Sequence, residues 1–559
     1  MDVIWLTDNR LYSREGTIRT VSSVSVFDKI TDPFPITGEL PHKSSLPLSK
    51  WSSLLLLATV AVITLFRHLT RPKLNLPPGP KPWPIIGNLN LLAGPLPHRN
   101  MHALVQKYGP IMQLKFGSFP VVVGSSVEMA EAVLKTNDVK LADRPKIAAG
   151  KYTTYNYSNI TWSQYGPYWR QARKVCLMEL FSPKRLDQFE TVRVQELHAL
   201  LRKLFVSAGK PINARDNFSD LSLSVISRLV LGKNYTVKTG NQKEYISPKE
   251  FQEMIDEIFL LNGVLDIGDS IPWLAFLDLQ GYISFNIKRM KAVGQLFDGF
   301  LEHTLNEHQQ RRKGVKDYVP QDMMDVLLQL SDDPNLEVQL DRTAVKAFTM
   351  DLIAGGTESS SVTTEWAMAE LLKKPEYFKR ATEELDRVIG RDRWVEEKDI
   401  VNLPFMNAIC KETMRLHPVT PFLVPRLARE DIQLGGYDIP KGTRVMVNVW
   451  TIGRDASIWE KPHEFCPERF IGKSIDVKGH NFELLPFGAG RRMCVGYSLG
   501  LKVIQASVAN LLHGFKWKLP GDMTTEELNM QEIFGLSTPK QIPLVAELEP
   551  RLPAHMYSM

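Results

Sequence analysis

Residues 487–496, FGAGRRMCVG, restrict this chain more than any other stretch of its 559 residues. One cysteine stands among three glycines and two arginines, and a helix-like apolar run, YSLGLKVIQASVANLLHGF, follows at once. Glycines this dense suit a tight turn that residues with a side chain adopt poorly, so the turn fixes where the sulfur points. Cys494 is then a buried structural thiol, half of a disulfide, or a ligand held out to something. The four cysteines, Cys176, Cys410, Cys466 and Cys494, are separated by 234, 56 and 28 positions. That spacing fits neither a secreted disulfide framework nor zinc-ligand pairs. Cys176 and Cys410 lie in helical patterns, where a free cysteine acts as a small hydrophobe.

Far upstream, residues 51–66 (WSSLLLLATVAVITLF) carry no charge. As a helix they reach about 24 Å, short of a ~30 Å hydrocarbon core, so flanking residues must complete a span. A buried core helix is the competing reading. Arg67, Arg71 and Lys73 follow directly, and positive charge after a first apolar segment places the next domain on the cytosolic side. The proline-rich LPPGPKPWPIIGNL then reads as a stiff link. The expected division is an extension of unassigned role over 1–50, read as disordered, an anchor over 51–67, a basic, proline-rich hinge over 68–84 and one catalytic domain over 85–559. Residues 1–50 hold six acids and six bases, too acidic for a transit peptide. A net charge of +6 without a dense Lys/Arg block argues against a nucleic-acid partner. Sequons at Asn156, Asn159, Asn217 and Asn234 should be bare in a cytosolic domain.

From about residue 100 the 3.6-residue apolar period dominates, most clearly in MKAVGQLFDGFLEHTLNEHQQRR and TAVKAFTMDLIAGGTESSSVTTEWAMAELLKK. Strand patterns are few: IMQLKFGSFPVVVGS reads as one hairpin and IQLGGYDIPKGTRVMVNVW as a second. The fold class is therefore mainly α with a small β portion, in one large domain.

The long helix carries Gly355-Gly356-Thr357-Glu358-Ser359-Ser360 in its middle. Paired glycines there cost about 1 kcal/mol each against alanine. Either another helix crosses at the gap, or the gap is a groove where a small molecule meets an acid and an alcohol that can move protons. In CKETMRLHP, Glu412 and Arg415 share a helix face at i, i+3, and FCPERF adds Glu468 and Arg469. Cys494 itself would sit just ahead of a helix N-terminus, where backbone N–H groups and the dipole favour the ionised sulfur. Arg492 suits a carboxylate beside whatever the sulfur holds, and Phe487 is a flat cover. A thiolate, a carboxylate acceptor and an aromatic cover together describe an iron porphyrin bound from below.

These residues carry a resemblance: the chain is similar to the cytochrome P-450 family of haem-thiolate monooxygenases, of the plant membrane-bound A-type. The motifs F-x-x-G-x-R-x-C-x-G, Glu412-x-x-Arg415, Pro467-Glu-Arg-Phe470 and the long-helix Gly-Gly-Thr-Glu-Ser occur in the family order. The resemblance implies haem b with Cys494 as axial iron ligand, and haem carboxylates bound by Arg492, Trp169, Arg173, Arg426 and Arg144. It implies a network of Glu412, Arg415 and Arg469 bracing the cysteine loop. It also implies catalytic proton handling by Glu358 and Ser359, beside Thr357, and electrons from NADPH through a separate flavoprotein reductase. The expected setting is the endoplasmic reticulum membrane, single-pass, with the catalytic domain cytosolic. One departure stands out: Ser359 occupies a position where the family usually has threonine, keeping the hydroxyl but losing the methyl that fixes its rotamer.

Substrate contacts are expected from residues 146–160, 260–270, Ala354, VTPFLV (419–424) and FGLS (534–537), mostly apolar and suited to a lipophilic small molecule. Flavonoid or phenylpropanoid ring hydroxylation, terpenoid oxidation and C–C cleavage of acyclic terpene alcohols to homoterpenes all fit. An oxygen-independent haem-thiolate isomerase or dehydratase is disfavoured by the Glu358-Ser359 pair, and a non-catalytic haem carrier needs neither anchor nor proton route.

Overall fold

A computed structural model describes residues 74–558 apart from 93, 95, 237–244, 264–265 and 275–281, together with Thr59. The extension over 1–50 and, Thr59 apart, the anchor over 51–67 lie outside the described residues. Among the described residues no helix is long and apolar enough to cross a membrane. From Leu74 onward the chain makes one compact unit, mainly helical, with three small sheets among the described residues.

Seven of its helices position the site: α1 (Pro167–Val175), α2 (Ala214–Leu231), α3 (Pro248–Gly263), α4 (Tyr282–Arg312), α5 (Arg342–Lys373), α6 (Pro404–Leu416) and α7 (Tyr497–Gly514). The Asp341 side chain caps α5 by accepting from the Ala344 N–H at 2.7 Å. Pro375 ends it, because the residue before a proline is pushed out of the helical region, and Lys374 sits at φ −128°, ψ 75°. Between these limits α5 stays helical through its polar middle. Thr357 and Thr364 each donate a hydroxyl to the carbonyl four residues back, at 2.7 and 2.9 Å, so these buried hydroxyls need no outside partner. Both sides of α5 are covered, by α2 and by α7.

The paired glycines divide the two readings between them. A Cβ on Gly356 would lie 2.6 Å from the Ile226 side chain, so this glycine lets α5 approach α2. A Cβ on Gly355 would meet nothing within 4 Å, because this glycine faces open space. One serves the helix crossing and the other the groove.

In the main sheet β1 (Ile111–Phe116) pairs antiparallel with β2 (Phe119–Gly124), the first hairpin as expected. The second hairpin differs from the sequence reading. Ile432–Leu434 folds back on Tyr437–Ile439 over Gly435 and Gly436, at φ 59° and 81°. The remainder leaves for the other sheet, where β3 (Arg426–Leu427) and β4 (Arg444–Val447) give the order β1–β2–β4–β3, with β2 and β4 parallel. Pro440, which has no N–H to give a ladder, and Gly442 at φ 84° turn the chain between the two. Apolar alternation marks β4 as a strand without naming its neighbour. From Leu74 on, the stretch read as a stiff link over 68–84 is fastened to the body of the chain. Asn75 donates its N–H to Asp438 at 2.7 Å, and the Pro78 carbonyl accepts from Gln113 at 2.8 Å. Gly79 has to be glycine, since a Cβ there would lie 1.9 Å from the Gln113 oxygen.

Candidate active site

A cavity of about 390 Å³ lies between α5 and the cysteine loop. Cys494, Phe487, Arg492, Trp169, Arg173, Arg426, Arg144 and Ser359 all line it, although they span more than three hundred positions of sequence. A second cavity of about 340 Å³ adjoins it and shares Thr161, Phe259, Asp351, Ala354, Gly355, Leu423 and Leu536 with it. Each sequence stretch expected to contact substrate contributes at least one residue to this paired space.

The loop holds Cys494 by its backbone: the Cys494 N–H donates to the Phe487 carbonyl at 3.0 Å. Gly490 sits at φ 70°, and a Cβ there would lie 2.1 Å from the Leu134 carbonyl oxygen. The sulfur is exposed, but to the cavity rather than to bulk solvent. Burial pushes its pKa up, while the Gly496 N–H and the Arg173 guanidinium pull it back. Such a thiol waits for a cation, and a coordinating metal deprotonates it outright. Cys176 and Cys410 are buried thiols, both pushed up to about 12 by burial. They are inert by comparison.

Four arginines turn toward the same cavity. Arg426 pairs with the buried Asp138 at 2.7 Å. Arg144, Arg173 and Arg492 have no carboxylate within ion-pair distance among the described residues. Their donors reach main-chain carbonyls instead: Arg492 those of Ala142, Ile160 and Ser163, Arg144 those of Thr161, Val424 and Pro425, and Arg173 that of Met493. Burial, then the like charges of Arg492 and Arg426, hold Arg144 well below the usual guanidinium range. Burial and Arg426 bring Arg492 down to about 9. Buried cations in excess of their partners are costly unless an anion joins them. A planar ligand carrying two carboxylates, its metal over Cys494, supplies that charge, so the residues present fit a haem. Trp169 spends its Nε1–H on the Ile160 carbonyl at 3.1 Å and lies under the Arg492 guanidinium, 4.3 Å from its centre. Here it is a platform for Arg492.

On α5 the three residues of the acid and alcohol group face different ways. Ser359 lines the cavity and donates its hydroxyl to the Gly355 carbonyl at 2.8 Å. Thr357 is buried, is bonded to the Ile353 carbonyl and is absent from the cavity wall. Glu358 is also off the wall. Burial raises its pKa, the Ser537 hydroxyl lowers it by hydrogen bonding, and Asp256 and Arg215 act on it from α3 and α2. A carboxyl whose proton affinity burial raises, set behind a hydroxyl-bearing wall, is suited to proton handling.

Glu412, Arg415 and Arg469 meet in a closed network. Arg415 donates to both Glu412 oxygens at 2.7 Å, and Arg469 to one of them at 2.9 Å. The Cys466 N–H donates a fourth bond to Glu412 at 2.7 Å, and Arg415 also reaches the carbonyls of Gly453, Pro462 and Glu464. The network thus fastens residues 453–469 to α6 and has no direct bond to residues 487–496. Glu468 stands outside it, paired with Arg380 at 2.6 Å.

Two site residues escaped the sequence reading. Asp138 carries the partner of Arg426 and also accepts from the Arg491 N–H at 2.9 Å, but KTNDVKLAD offers no pattern that marks it. Asp351 lies on the wall of both cavities. Its signal was legible, as a lone acid in the apolar stretch FTMDLIA.

Residues 77–545 match the family described as Cytochrome P-450. Trimethyltridecatetraene synthase from Zea mays is 47% identical over 526 residues, covering 89% of this chain and 94% of that relative. Dimethylnonatriene synthase from Zea mays is 45% identical over 514 residues, 89% of this chain and 95% of the relative. Flavonoid 3'-monooxygenase from Petunia hybrida is 42% identical over 490 residues, 87% and 94%. Among solved structures, a zebra fish cytochrome P-450 with abiraterone superposes with a TM-score of 0.68 at 27% identity, covering 81% of this chain and 99% of that one. The chain belongs to the cytochrome P-450 family, of the plant A-type, and is a haem-thiolate monooxygenase.

Proposed function

We propose that this protein oxidises an acyclic terpene alcohol and carries the oxidation through to C–C cleavage, releasing a shortened hydrocarbon. The observation that carries the reading is the pair of adjoining cavities, which share Phe259, Ala354, Leu423 and Leu536 and together suit an elongated, flexible, largely apolar molecule. The names of the two maize relatives point the same way. Asn262, Asp269 and Arg444 in the second cavity favour a second reading, hydroxylation of a flavonoid ring, because they could bind phenolic groups.

Haem b, held through the Cys494 thiolate, would supply the oxygen-activating chemistry. The chain's own residues do the rest. Arg144, Arg173, Arg426 and Arg492, with Trp169 beneath Arg492, hold the haem carboxylates, and Phe487 covers one side. The apolar wall excludes water from the reacting carbon. Glu358 stores a proton and Ser359 presents a hydroxyl to the cavity, with the Thr357 hydroxyl bonded to the Ile353 carbonyl behind them. Glu412, Arg415 and Arg469 keep the 453–469 segment in place. Electrons come from NADPH through a separate flavoprotein reductase. Residues 51–67 anchor the chain in the endoplasmic reticulum membrane with the catalytic domain in the cytosol, in line with the uncharged run and its basic flank.

The test is product mass from membranes carrying this chain and a plant reductase, given acyclic terpene alcohols in one set and flavonoids in another. A shortened hydrocarbon from the alcohol supports the first reading. A flavonoid that gains one oxygen, with the alcohol untouched, replaces it by the second.

A further inference from the structure

Residues 158–163 are gripped from both sides. Toward α5, the Asn159 amide donates to Asp351 Oδ1 at 2.6 Å, and the Thr161 N–H and hydroxyl donate to Asp351 Oδ2 at 3.1 and 3.3 Å. On the other side the carbonyls of the same segment accept from the cation cluster. Ile160 takes Trp169 and Arg492, each at 3.1 Å, Thr161 takes Arg144 at 3.1 Å, and Ser163 takes Arg492 at 2.6 Å. The peptide groups stand between an anion and cations with their dipoles aligned to both.

We propose that Asp351 is a positioning residue for the haem carboxylates: its carboxylate draws residues 158–163 against α5 and so turns their carbonyls toward Arg144, Trp169 and Arg492. This rests on the reading that Arg144 and Arg492, with Trp169 beneath Arg492, hold the haem carboxylates. The donors explain why the position carries an acid. All the groups facing Asp351 from this segment donate, and an asparagine would set its own NH2 against some of them. The same contacts use up the Asn159 amide in the fold, which argues against a glycan there.

Burial raises the Asp351 pKa to about 6, against the pull of Asn159 and of the Thr161 and Ile160 N–H groups. These donors bond the ionised carboxylate, so protonating Asp351 as pH falls through about 6 removes the charge that strengthens their bonds, and the latch weakens there. Residues 158–163 carry no titratable group. Tyr168 and Cys176 face Asp351 from the 167–180 region, and Arg144, Arg173, Asp269 and Arg444 share its cavities. Asp269 is itself raised to about 6 by burial, so it needs its own control.

The experiment measures how fast haem leaves the holoenzyme for excess apomyoglobin between about pH 5 and about pH 8, a range that brackets the latch. Wild type should lose haem faster as pH falls. Asp351→Asn should lose it roughly tenfold faster at neutral pH, the size of one lost charge-assisted hydrogen bond, with a flat pH profile. Asp351→Glu should recover part of the wild-type profile, and Asp269→Asn should keep it. An Asp351→Asn protein with wild-type rate and profile overturns the proposal while fast loss from Arg492→Gln leaves the cradle reading standing. Unchanged loss from Arg492→Gln overturns the cradle and the proposal together. Should Asp351→Asn give no holoenzyme, a wild-type profile that is flat, or one abolished by Asp269→Asn, overturns it.

Discussion

Two groups of buried arginines in this molecule look alike in sequence and behave oppositely. Around Glu412 each guanidinium meets a carboxylate: Arg415 and Arg469 share that of Glu412, and the remaining donors end on the carbonyls of residues 453–464. Beside Cys494 the charges do not close: Arg144, Arg173 and Arg492 have no carboxylate within ion-pair distance among the described residues, and the acid on the cavity wall, Asp351, is bonded to residues 159–161 instead. A closed network is scaffolding, and an open one marks where a ligand's charge belongs. Neither differs from the other as a string of residue types.

The contrast breaks first at Glu412. Glu412→Gln strands two buried guanidinium groups and should cost about 3–5 kcal/mol in chemical denaturation, with little soluble protein. An effect below 1 kcal/mol by that measurement would mean that the network is not closed. Next comes the same distinction within α5. Gly356→Ala forces its Cβ against Ile226 and should cost about 1–3 kcal/mol. Gly355→Ala, with open space before it, should hold or raise the melting temperature and raise KM for a bulky substrate. Third, Arg492→Gln should cost only about 1 kcal/mol in haem-free protein. Its lost hydrogen bonds are offset by relief of repulsion from Arg426 and Arg173. Its cost should appear as faster haem loss, which separates it from Glu412→Gln. Smallest is Ser359→Thr, which restores a rotamer-fixing methyl and should lower peroxide release per NADPH consumed, whereas Ser359→Ala should raise it. Identical peroxide yields in all three proteins would remove Ser359 from the proton route.

Much of this was legible in the sequence because it is local. The cysteine turn, the α5 glycine gap and the Glu412-x-x-Arg415 pair each lie within one element, where spacing alone sets geometry. What stayed hidden depends on distant chain. β4 leaves its apparent hairpin for β2 because its partner is chosen by the core, not by its own alternation. Asp138 and Asp351 act across 288 and 192 positions on Arg426 and Asn159, and neither has a flanking pattern that names its partner. Glu358 likewise takes its surroundings from distant chain, Ser537 and Arg215 among them.

If Cys494 is the haem ligand, the reduced, carbon monoxide-bound protein should show a Soret band displaced to longer wavelength from that of a histidine-ligated haem, and Cys494→Ser should lose it. A wild-type band without that displacement, or a displaced band that survives in Cys494→Ser, would contradict that assignment.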